Sequence, residues 1–173
     1  MPRYVAFLRG VSPMNAQMPA LRRCFEAAGF TEVKTLLSSG NVVFTAPSSL
    51  LERLEQRAVN AMQSELGHSF DTFVRPSRYL QDLIDAAPFA AFNLAPSAKR
   101  VITFVRSPAE PDALQLPMEH EGATIYQAHA TEVYSAYVPD PSQGPAFMRL
   151  LERTLGKAIT TRTLDTVIKC AKA

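Results

Sequence analysis

Glu32-Val-Lys-Thr-Leu-Leu37, Ser38-Ser39-Gly40, Asn41-Val-Val-Phe-Thr45: two short runs rich in strand-forming residues are held apart by three turn-forming ones. Val, Thr and Phe suit a pleated strand and Ser and Gly end one, so the economical reading is a hairpin. Upstream, Pro19 stands where a first helical residue would. Leu21, Cys24, Phe25 and Ala28 follow at i, i+3, i+4 and i+7, and Gly29 sits at the stop, which predicts an amphipathic helix. Before it, Arg3 to Arg9 is β-rich. Downstream, Ser49-Leu-Leu-Glu52 has the form of a capping box, opening a helix with Leu51, Leu54, Ala58, Ala61 and Met62 on one face and Gly67 past its end. Phe70 to Arg75 reads as a fourth strand, closed by Pro76. The order β-α-β-β-α-β over residues 1–76 is that of a ferredoxin-like plait.

The second half repeats the pattern in elements rather than in residues. A connecting helix from Ser77 to Ala87 (Leu80, Leu83, Ile84, Ala87) and a Pro-bounded linker fill residues 77–98, and a strong strand, Arg100 to Arg106, opens a second subdomain over 99–173. Pro108 to Glu121 carries three prolines and has room for a turn or two of helix at most, leaving helix and loop both open. Ala123 to His129 and Glu132 to Val138 form a hairpin. Pro145 opens a helix with Phe147, Leu150, Leu151 and Thr154 inward, Gly156 ends it, and Ala158 to Thr161 makes a short last strand. Leu164, Val167, Ile168 and Ala171 define a terminal helix. The expectation is thus an α+β protein of two ferredoxin-like α/β plaits packed together, ending in a helix. In Tyr4 to Leu8, Val101 to Val105 and Val133 to Val138 both alternating sets of side chains are largely apolar, so both sheet faces are covered. The other half of the chain, the Ser77 helix or another protomer supplies the second cover.

Composition narrows the class. With 173 residues, 47% of them hydrophobic, the chain is long enough to bury a core without disulfides or metal. Its 18 Lys and Arg against 16 Asp and Glu leave a net charge of +2, far from a polyelectrolyte binder. Cys24 and Cys170 are widely separated with no C-x-x-C spacing, which argues against a disulfide framework or zinc site and for a reducing, cytoplasmic setting. No apolar run is long enough for a bilayer span, and the N-terminal strand is too short for a signal segment.

The chemical motifs are sparse. The phosphate-binding G-x-x-x-x-G-K-[ST] and G-x-G-x-x-G patterns and the G-x-S-x-G elbow are absent, as is metal-ligand spacing around His68, His120 and His129, so neither cofactor nor metal is expected. His68 reads as solvated at a helix end, Cys24 as a small core residue, and Cys170 as an unreactive thiol. Charge is distributed unevenly. Residues 107–148 hold six acids and no Lys or Arg, whereas 149–173 hold six bases against Glu152 and Asp165. This tail is either a solvated helix face or, through Thr160-Thr161-Arg162-Thr163 ahead of the last helix, an anion site of hydroxyls, a guanidinium and helix N–H groups. Arg9-Gly10, ending the first strand before a loop with Ser12 and Asn15, and the Ser39-Gly40-Asn41 turn are the other polar candidates, although tight turns use Ser, Gly and Asn for conformational reasons alone.

Leu8-Arg9-Gly10 after the first strand, Ala28-Gly29-Phe30 at a helix end, Ser39-Gly40-Asn41-Val-Val-Phe44 and Thr160-Thr161-Arg162 before the last helix together resemble the bacterial domain-of-unknown-function family 1697 along essentially the whole chain. The resemblance implies two α/β plaits and no established activity. The chain departs from the family pattern at Val11 to Gln17 and at Thr163-Leu164-Asp165. The leading functional expectation is a binding module for a small anionic or nucleotide-like ligand, held by Arg9, Ser39, Gly40, Asn41, Thr161 and Arg162 in a cleft between the subdomains. Single-stranded nucleic-acid binding is the alternative, disfavoured because Asn41-Val-Val-Phe-Thr45 lacks the basic and paired aromatic character of an RNA-binding strand. A metal-independent hydrolase or transferase ranks last, since no base stands out beside Arg9, Ser39 and Arg162.

Overall fold

The computed structural model describes residues 1–108, 115–140 and 146–173, and contains five helices and two antiparallel sheets, of four and five strands, among them. Two compact units result: Met1–Asp85 with Ile168–Ala173, and Ala86–Val167.

Unit 1 runs β1 (Arg3–Leu8), α1 (Met18–Ala27), β2 (Thr31–Leu36), β3 (Asn41–Thr45), α2 (Leu51–Leu66), β4 (Thr72–Pro76) and α3 (Ser77–Asp85). The element order expected over residues 3–76 is present. The sheet order is β2-β3-β1-β4, with Tyr4 opposite Phe44 and Phe7 opposite Asn41. Tyr4, Ala6 and Leu8 alternate onto one face, where Val42, Phe44 and Val74 join them against Leu21, Cys24 and Phe25 of α1 and Leu54, Ala58 and Met62 of α2. Phe30 stacks on Phe44 at 4.2 Å between centroids, and Arg57 lies 4.6 Å over the Phe30 ring while donating to Ala28 O at the end of α1. That donor suits the negative end of the helix dipole. Val5, Phe7, Val43 and Phe73, pointing the other way, are also fully buried, and α3 lies against β1 and β4. The Ser77 helix therefore contributes to the second cover. The capping box does not form: α2 is capped by Leu50, without a side-chain cap bond. Leu50 O already accepts from Arg53 and Leu54 N–H, which moves the start one residue past the frame that Ser49 and Glu52 require.

Unit 2 contains β5 (Lys99–Val105), β6 (Met118–His120), β7 (Ala123–His129), β8 (Glu132–Tyr137), α4 (Ala146–Leu155), β9 (Ile159–Thr163) and the start of α5 (Leu164–Lys172). Its sheet order is β6-β7-β8-β5-β9. Around the central strand, β7-β8-β5-β9 repeats the β2-β3-β1-β4 order of unit 1. Val105, Ala123, Ile125, Val133 and Ile159 pack on Leu150 and Leu151 of α4.

Three expectations are corrected here. Part of the 108–121 stretch is neither helix nor loop but the edge strand β6, because Met118 pairs with Ile125 and packs beside it on the core; residues 109–114 lie outside the described residues, as does Pro145. The last strand extends beyond Thr161 to Thr163, since β5 offers partners as far as Val101. On α5 the fully buried pair is Val167 and Cys170, with Leu164, Ile168 and Ala171 half-buried. Among the described residues no helix is long and apolar enough to cross a membrane.

Candidate functional site

The sequence candidates fall into two groups, one in each unit. In unit 1, antiparallel pairing of β1 with β3 brings the end of the first strand beside the hairpin turn: Leu8 N–H donates to Gly40 O at 2.9 Å. Arg9 follows, its own N–H donating to Asp71 O at 2.8 Å. Asn41 is completely buried, and its Nδ2 donates to Leu36 O and to Ser39 Oγ, both at 3.0 Å. Gly40 has φ of +85°, and a Cβ built there would stand 2.8 Å from Val11 Cγ2. Ser39, Gly40 and Asn41 thus build the turn and seat it on the neighbouring loop. That loop is closed by Asn15, whose Nδ2 donates to Gly10 O and whose Oδ1 accepts from Ser12 N–H, both at 2.8 Å. His68 Nε2 lies 3.1 Å from Asn15 O and, facing a carbonyl, is the donor.

In unit 2, Thr161 and Arg162 belong to β9, opposite Thr103 and Ile102. Arg162 is 9% exposed, and its Nη1 donates to Thr160 Oγ1 at 2.8 Å and Thr161 O at 2.7 Å. The Thr161 hydroxyl donates to Met148 Sδ at 3.6 Å. These side chains are strand residues with internal partners rather than loop donors ahead of a helix. Thr163 reaches the helix start, where its Oγ1 accepts from Thr166 N–H at 3.4 Å.

The pairing of β5 with β9 creates a feature that local sequence reading missed. Val101 faces Thr163, so the residues before it, Arg100 and Lys99, run alongside the first residues of α5. Between them lies a cleft of about 390 Å³ formed by residues 96–100 and 163–165. Lys99, Arg100, Ser97 and Thr163 are exposed and line it. Lys99 and Arg100, rooted on opposite faces of β5, two hydroxyls and the first turn of a helix, whose N–H groups have no acceptor within the helix, make an environment suited to an oxyanion. Asp165 also lines the cleft, so that Lys99, Arg100 and Asp165 together leave a net charge of +1 there. The only local trace was the Lys99-Arg100 pair opening a strand. Among the described residues no group of His, Cys, Asp and Glu is placed to hold a metal ion.

An α+β chain of two antiparallel sheets, with a basic cleft where a strand and a helix begin, is the class the fold and this geometry define. Residues 1–134 match the family described as Protein of unknown function (DUF1697), and the chain belongs to that family. Among solved structures it is similar to the conserved bacterial protein SP0830 from Streptococcus pneumoniae, with a TM-score of 0.75 and 18% identity over 99% of this chain and 97% of that one. At that identity the likeness concerns the fold. A comparison with curated proteins gave no match.

Proposed function

We propose that each unit is a ferredoxin-like plait and that the protein is a binding module for a small anionic ligand, taken up by unit 2 in the cleft of residues 96–100 and 163–165. The plait reading rests on the shared β2-β3-β1-β4 and β7-β8-β5-β9 orders. The binding reading rests on one observation, the juxtaposition of Lys99 and Arg100 with Thr163 and the start of α5 around a cleft of about 390 Å³. The Arg100 guanidinium fork matches a phosphate or carboxylate, and each charge-assisted hydrogen bond to it contributes about 1.5–3 kcal/mol.

Calorimetric titration with inorganic phosphate tests this. The double substitution Lys99→Gln, Arg100→Gln should weaken binding by at least about tenfold, equivalent to about 1.4 kcal/mol. Both side chains are exposed, so the melting temperature should stay unchanged. Phosphate affinity that survives this change but is abolished by Arg9→Ala would move the site to the β1 end in unit 1.

A further inference from the structure

Beside the basic cleft lies a second one, and we propose that the two form a single site for a guanine mononucleotide, phosphate in the first and base in the second. This rests on the anion reading of the larger cleft. The second measures about 200 Å³, is lined by Leu94, Glu119, Tyr126 and Tyr137, and shares Ala98 with the first as a common wall. Together they fall within the roughly 300–1,000 Å³ typical of small-molecule sites.

Register places the two clefts along one row of the sheet. Glu119 pairs with Thr124, Thr124 with Ala136, and Ala136 with Arg100, so these four residues point to the same face. Glu119, Thr124 and Ala136 line the smaller cleft and Arg100 the larger. Thr124 and Arg100 are two strand spacings apart, about 10 Å, comparable to the reach of a mononucleotide from phosphate to base.

The chemistry changes along the row in the same sense as such a ligand. The basic end carries Arg100; the far end carries the exposed Glu119 carboxylate. Guanine presents its ring N–H and amino group side by side, two donors that a carboxylate accepts together. Between the ends, Tyr126 supplies an aromatic surface. It is the extra residue of a bulge in β7, where Ile125 pairs with Ser135 and Gln127 with Tyr134. A bulge re-aims a side chain, and here the added residue joins Thr124 in lining the cleft. Phe92, which does not line the cleft, stacks on the Tyr126 ring at 4.4 Å and 15° and holds it in place. A ring fixed in this way is a stacking platform for a base.

Titrations with inorganic phosphate, guanosine monophosphate and cytidine monophosphate decide the matter. Guanosine monophosphate should bind at least about tenfold more tightly than phosphate, and Glu119→Gln should remove most of its advantage over the cytidine analogue without changing phosphate affinity. Tyr126→Leu should reduce binding of both nucleotides toward that of phosphate. Equal affinity for phosphate and guanosine monophosphate would overturn the mononucleotide site while leaving the anion reading intact. Absence of binding by all three would overturn both. A nucleotide preference untouched by Glu119→Gln and by Tyr126→Leu would place the base elsewhere and overturn this assignment.

Discussion

Asn41 illustrates how one buried amide organises a loop. Its two donated bonds tie Leu36 O and Ser39 Oγ across the β2–β3 turn, so Asn41→Ala leaves a main-chain acceptor short of one partner in a partly buried setting. A loss of about 1–3 kcal/mol in urea unfolding is expected. Melting unchanged by Asn41→Ala would mean that the turn is held by other contacts. Gly40→Ala should cost a similar amount, about 1–3 kcal/mol, because the added carbon meets both a left-handed backbone and Val11. Cys24 makes a different prediction. Burial pushes its thiol up, the Glu65 carboxylate pushes it further, and Arg23 opposes them. A thiol raised in the folded state is neutral there while the unfolded chain ionises, so its contribution is complete below the ordinary thiol range and falls as pH rises through it. Unfolding free energy should therefore decline between about pH 8 and 9.5 more steeply in the wild type than in Cys24→Ala. Parallel profiles for the two proteins would contradict this.

Among the elements, α5 concentrates the clearest stability expectation. Val167 and Cys170 are fully buried, and the chain end is tied by Arg3 Nε donating to Ala173 O at 2.9 Å. Deleting residues 164–173 should cost several kcal/mol, at roughly 1.5–3 for each large buried side chain, and lower the melting temperature accordingly. A truncated chain that melts with the full one would refute the role assigned to this helix. The elements of unit 1 were legible in sequence because each has its own period and its own stop: Leu21, Cys24 and Phe25 repeat helically up to Gly29, and the hairpin strands part at Gly40. What escaped was set by partners distant in sequence. Met118–His120 is too short to show a period and is a strand only because Ala123–Ile125 lies alongside. Arg162 looked like a loop cation until β5 claimed it as a strand residue. Lys99 and Arg100 meet α5 through the same pairing, which no local window contains. Of the six site candidates, Arg9 with residues 39–41 gather at one sheet end as antiparallel pairing requires, but Asn41 and Gly40 have structural work there.

At the scale of the whole molecule, charge limits the partners. The net charge is +2, with the acidic stretch of residues 107–148 offsetting the basic tail. Single-stranded DNA or RNA should consequently bind weakly at physiological salt, with a shallow dependence of affinity on salt, since few phosphates would be neutralised. A fluorescence titration giving tight binding and a steep salt slope would favour a nucleic-acid function instead. The proposed ligand is smaller, an anion held where β5 and α5 begin. An amide NMR titration with inorganic phosphate tests it most directly. Saturable shifts should centre on residues 97–100 and 163–165; shifts centred on Arg9 and residues 39–41, or none that saturate, would rule this site out.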